Sequence, residues 1–158
     1  MSATRDKKAK QGEGGDGEIE RIPSFIPPGR YQLALVNWWT GVMFGRQQKL
    51  ALNFVVADFG DHYLKPLSRW YNARLKGPGG TNGKFSVGWN SDLLKEYSQI
   101  LDLPTRVDRI ALSRYKNLVL VGEVATVTHD RSQAQRHSAL QYSVIRKLLG
   151  VAAGTADR

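Results

Sequence analysis

The sequence predicts a mainly β fold: a five-stranded Greek-key barrel with one helix between its third and fourth strands. Three observations lead there. Apolar and polar residues alternate over several short stretches, as they do in strands that bury one face. Clusters rich in Gly, Pro and Asp separate those stretches. One segment, residues 91–101, carries the apolar period of a helix instead.

Residues 1–22 hold few apolar side chains and no periodicity, and are expected to be a disordered tail. Pro27, Pro28 and Gly29 suit a turn into the first strand, residues 30–40, where Tyr31, Leu33 and Leu35 alternate with Gln32 and Ala34. Residues 41–48 form the next loop, with Phe44 and Arg46 at its tip. In the second strand, residues 49–56, Leu50, Leu52, Phe54 and Val56 share one face. Asp58, Phe59, Gly60 and Asp61 signal a turn before a third strand over residues 63–74. The glycine-rich residues 76–84 are expected to be a mobile flap.

Ser91 is the expected N-cap of the helix, Asp92 complements its dipole, and Leu93, Leu94, Tyr97, Ile100 and Leu101 form its apolar stripe. Pro104 limits its extension, and residues 108–115 add a short helical turn. A fourth strand follows over residues 118–128, where Gly122 invites a bulge. A polar loop, residues 129–138, leads to a fifth strand over residues 140–145. Residues 146–153 read as a short helix and residues 154–158 as a flexible end. Three strands, a helix and two strands is the order of the OB-fold, although a small α+β sandwich shares it.

At 158 residues and 41% hydrophobic composition, the chain suffices for one domain with its own core, expected over residues 23–153. Cysteine is absent, which excludes disulfides, thiol catalysis and cysteine-ligated zinc and suits a reducing cytoplasm. No apolar run approaches the roughly 20 residues of a membrane helix, and the amino terminus lacks a signal-peptide core. A cytoplasmic protein without membrane contact is expected. The net charge is +9. Basic and acidic groups balance within residues 1–22, so the surplus belongs to the domain. A basic surface attracts polyanions.

The aromatic residues sharpen that reading. Trp38 and Trp39 are neighbours in the first strand, and Arg69, Trp70, Tyr71, Asn72 and Arg74 crowd the third. Lys84, Phe85 and Trp89 follow. Successive strand residues point to opposite faces, so one ring of each adjacent pair must leave the core. Exposed rings beside cations stack unpaired bases and neutralise their phosphates. Single-stranded nucleic acid is the expected partner.

The chain resembles the small single-stranded DNA-binding proteins of phages, plasmids and integrative elements. The likeness spans residues 25–150 and rests on short matches: Pro28-Gly29-Arg30-Tyr31, Lys49-Leu50-Ala51-Leu52-Asn53-Phe54, Arg69-Trp70-Tyr71-Asn72, Ser91-Asp92-Leu93 and Tyr142-Ser143-Val144-Ile145. It implies an OB-fold and single-strand binding in replication, recombination or transfer. The sequence departs from the bacterial housekeeping members by ending without an acidic tail, which puts partner recruitment through that tail in doubt.

The candidate nucleic-acid-binding residues are Trp38, Trp39, Phe44, Arg46, Lys49, Arg69, Trp70, Arg74, Lys76, Lys84, Trp89, Arg131 and Arg136. Trp70 is favoured over Tyr71 for the ligand face because Ser68 and Asn72, which share its parity, are polar. The cations flank strands 2 and 3 or lie in the loop between strands 4 and 5, which OB-folds use for oligonucleotides. RNA fits the same chemistry, and a homo-oligomer is compatible with it. No cofactor, metal or catalytic residue is expected: residues 77–83 lack the GxxxxGK[ST] spacing, and no HExxH or GxSxG occurs. Two rivals remain, a protein-interaction module whose aromatics build an interface, and a nuclease using Asp58, Asp61 and His62 as metal ligands.

Overall fold

The computed structural model describes residues 15–18, 22–43, 45–101, 109–130 and 132–152. Phe44, Arg131, Pro104, Asp108, nearly all of the expected tail and residues 153–158 lie outside that set. Strand β1 spans Gly29–Met43, β2 Gln47–Val56 and β3 Pro66–Asn72. Three short strands follow: β4 (Arg74–Leu75), β5 (Gly80–Thr81) and β6 (Phe85–Ser86). Helix α1 covers Asp92–Ile100, a 3-10 turn Leu112–Asn117, β7 Val119–Val127 and β8 Tyr142–Val151. The fold is mainly β. Its main antiparallel sheet runs β3-β2-β1-β7-β8, with β5 attached to β1.

Strand β1 holds this sheet together by serving two partners. Residues 29–34 pair with β7 and residues 33–43 with β2. The sheet therefore bends along β1 and brings its end strands, β3 and β8, against each other without a hydrogen-bonded ladder between them. The inward side chains of Leu33, Leu35, Leu50, Leu52, Phe54, Leu67, Leu120, Ile145 and Leu148 make one core, closed by Leu93 and Tyr97 of α1 and by Tyr115. Each fully buried side chain of this size contributes roughly 1.5–3 kcal/mol. Ser91 caps α1 as expected, its side chain accepting from the Leu94 N–H.

One extra residue in β1 decides which tryptophan faces the core. Leu33 and Leu35 point inward opposite Val56 and Phe54, but the register shifts between Leu35 and Asn37. Val36 is left unpaired and half exposed at this bulge. Past it the parity reverses, so Trp38 and Thr40 turn inward while Asn37 and Trp39 turn outward, opposite Asn53 and Ala51.

Three expectations are corrected. The expected helix over residues 146–153 is not found among its described residues: β8 continues to Val151. A register shift there leaves Arg146 unpaired, so Ile145 and Leu148 both face the core three residues apart, a spacing that mimics a helical stripe. The third strand is shorter than residues 63–74, because residues 61–64 belong to a turn and the chain leaves the ladder at Ala73. The glycine-rich segment is not a free flap but is tied to β1: Thr81 and Gly80 pair with Trp39 and Thr40, and the Asn82 N–H donates to the Trp38 carbonyl. At Gly122 the β7–β8 register shifts as the glycine suggested.

Candidate nucleic-acid interface

The outer face of β1, β2 and β3 is built in cross-strand rows. One row is Trp39, Ala51 and Trp70. The two indoles meet edge to face over the small alanine, ring centres 6.2 Å apart at 73°, and leave Ala51 fully covered. A neighbouring row is Gly41, Lys49 and Asn72. Gly41 is required by close approach: a Cβ there would collide with the six-membered ring of Trp39, which lies across it. The Lys49 ammonium donates to Asn72 Oδ1 at 2.7 Å. On the opposite flank lies a third row of Asn37, Asn53 and Ser68, linked by Asn53 Nδ2 to Asn37 Oδ1 and Ser68 Oγ to Asn53 Oδ1, each 2.8 Å.

Beyond Asn72 the surface falls into an open cleft of about 650 Å³, lined by Arg46, Asn72, Ala73, Arg74, Val87 and Gly88 among others. Its wall forms because Arg74 and Leu75 leave β3 to pair with Ser86 and Phe85, while Gln48 accepts from the Leu75 N–H at 2.8 Å. Trp89, next in sequence to Gly88, is 70% exposed. Lys76 and Lys84 sit exposed at the mouth of the same small ladder, the Lys76 N–H donating to the Lys84 carbonyl. Between Asp61 and Asp92 the sequence contains no carboxylate. The one ion pair among the described residues is Arg69–Glu96, so the cations of this face stand without a neutralising acid.

The structure brings Trp39, Lys49 and Trp70 together, places Arg46 and Arg74 in the adjoining cleft, and separates other candidates from them. Trp38 lies under the sheet against the core, its Nε1–H donating to the Gly83 carbonyl at 3.0 Å and its ring 5.7 Å from the Lys116 ammonium. Arg69, expected beside the bases, shares the inward parity of Tyr71 and is engaged by Glu96. Burial works against its charge, but the hydrogen bond to Glu96 and the surrounding negative charge outweigh it and raise its pKa. Arg136 is at the far end of the molecule, donating to the Leu140 carbonyl and covering the Tyr142 ring at 5.4 Å.

Sequence reasoning missed three features. The Asn37–Asn53–Ser68 row was legible as polar residues inside strands. Glu96 lies beside Tyr97 on the helix's apolar side, where a carboxylate reads in sequence as a solvated charge. It accepts from Arg69, from the Tyr71 hydroxyl at 2.6 Å and from the Leu148 N–H at 3.2 Å. Burial first, and then the charge of Glu96, push the Tyr71 and Tyr115 phenols well above their usual range, so both stay protonated. The third is Phe59 and Tyr63, both exposed in the β2–β3 turn. In that turn Asp58 accepts from the Gln32 N–H, and among the described residues no three His, Asp or Glu side chains gather as a metal site. No helix among the described residues is long and apolar enough to cross a membrane. No protein-family model matches this chain, and no curated protein or solved structure matches it either.

Proposed function

We infer that the chain binds single-stranded DNA with little sequence preference on the outer face of β1, β2 and β3, and that its bent sheet is an OB-type barrel. The observation that carries this is the partly buried Trp39–Trp70 pair on the outer face beside Lys49, Arg46 and Arg74, none of which has a carboxylate partner among the described residues. Bases stack on the indoles and phosphates follow the cations into the cleft. Such binding discriminates against duplex DNA, whose bases are already stacked on one another. RNA satisfies the same contacts. The resemblance of residues 25–150 to single-stranded DNA-binding proteins of mobile elements supports the same reading and suggests a role in replication, recombination or transfer.

Titration of fluorescent oligo-dT and of a duplex of equal length, at low and moderate salt, tests the inference. Anisotropy should report tighter binding of the single strand, weakening as salt rises because neutralised phosphates release their counterions. Equal, weak binding of both would reduce the positive charge to nonspecific attraction and leave the aromatics to a protein interface.

A further inference from the structure

The end of the molecule opposite the cleft carries a feature that nucleic-acid binding does not use. In the β2–β3 turn, Phe59 is 86% exposed and packs against the exposed Tyr63, ring centres 4.7 Å apart. The turn is rigidly built. Its backbone is pinned by Ala57 N–H to the Gln32 carbonyl, Leu64 N–H to the Val56 carbonyl, and Asp58 Oδ2 to the Gln32 N–H. Leu64 has φ 67°, a left-handed conformation that costs a leucine energy to adopt. A strained turn, tied to β1 by hydrogen bonds, that holds two rings in water has the properties of an anchor prepared for a partner.

The charge around the rings identifies the partner. Asp58 and Asp61 flank them and are the only carboxylates between residues 29 and 91. An acidic, aromatic knob fits a basic recess that also offers apolar side chains. The cleft of this same chain is lined by Arg46 and Arg74 together with the apolar Ala73 and Val87. Knob and cleft lie at opposite ends of the ten-residue strand β2, about 30 Å apart at 3.3 Å per residue, so one molecule cannot satisfy itself. We propose that the Phe59–Tyr63 knob of one copy docks in the Arg46–Arg74 cleft of a second copy. The contact is heterologous, head to tail, and each added copy presents a new free knob and a new free cleft, so the arrangement grows as a linear array. The small contact makes it a weak, reversible association.

Sedimentation velocity of the full chain without nucleic acid tests this independently of the function inferred above. The average mass should rise with concentration and fall when salt is added. Phe59→Ala and Arg74→Glu, both exposed and away from the core, should each shift association to at least about tenfold higher concentration. A mixture of the two variants joins the intact cleft of one to the intact knob of the other, so it should form one-to-one pairs and nothing larger. A wild type that stays monomeric at every concentration overturns the proposal. So does a Phe59→Ala variant that associates like the wild type, or a mixture that still forms long arrays. Loss of oligo-dT affinity in a Phe59→Ala variant, with no change in self-association, would assign the rings to nucleic acid and overturn it equally.

Discussion

Single residues set what the outer face can do, and their roles follow from which side of the sheet they occupy. Trp39 and Trp70 are neighbours because Ala51 between them is too small to separate the rings, and because Gly41 leaves room for an indole to lie flat. Trp38 differs from Trp39 by one position and does other work, holding the glycine-rich loop through Gly83. The division between these two was hidden in the sequence. Alternation fixes that they point apart, but the bulge at Val36 fixes which one points out, and no residue at 35–37 announces it. Lys49 and Arg74 have no acid to neutralise them among the described residues. On the reading above, Lys49→Ala or Arg74→Ala should weaken oligo-dT binding uniformly across base compositions and lower the salt slope by about 0.7 per lost phosphate contact. Anisotropy across a salt series checks this, and an unchanged slope would place that cation off the nucleic-acid path.

Elements matter through how they are fastened. The loop over residues 76–84 reads from composition as a flap because four glycines and a proline carry no packing signal. Its order comes from contacts with a strand some forty residues away: Thr81 on Trp39, Asn82 on the Trp38 backbone, and Gly83 on the Trp38 indole. Gly83 admits that approach only without a side chain, since a Cβ there would collide with Thr40 Oγ1. Gly83→Ala should therefore loosen the loop and destabilise the protein by about 1–3 kcal/mol. Limited proteolysis within residues 76–84, together with a red shift in tryptophan emission, measures it. An equally resistant loop would show that the strand pairing alone suffices. The helix start at Ser91, by contrast, was legible, because an N-cap is a local chemical signal.

For the whole molecule, Glu96 joins what the sheet leaves apart. The end strands β3 and β8 have no ladder between them, yet Glu96 of α1 accepts from Arg69 and Tyr71 on one and from the Leu148 N–H on the other. A carboxylate on an apolar helix face reads in sequence as an ordinary solvated charge. Only the meeting of three distant segments gives it partners, which is why the fold order was legible and its clasp was not. Removing Glu96 leaves the mostly buried Arg69 guanidinium without its counter-charge. Glu96→Ala is expected to cost about 3–5 kcal/mol, a large part of the roughly 5–15 kcal/mol by which a domain of this size is stable. Tyr71→Phe, which removes one hydrogen bond to the same charged group, should cost about 1.5–3 kcal/mol. Urea denaturation of both variants orders these losses, and equal, small losses would show that core packing alone holds β3 to β8.

If the Trp39–Trp70 pair is a base-stacking platform, tryptophan fluorescence will report it. Oligo-dT should quench the wild type strongly, and the double variant Trp39→Ala/Trp70→Ala should keep its circular dichroism while losing most of that quenching. At about 1–3 kcal/mol per stacked base, each single truncation should weaken binding roughly five- to 150-fold. A folded double variant that binds oligo-dT with wild-type affinity would rule out stacking on these rings and return both indoles to a purely structural role.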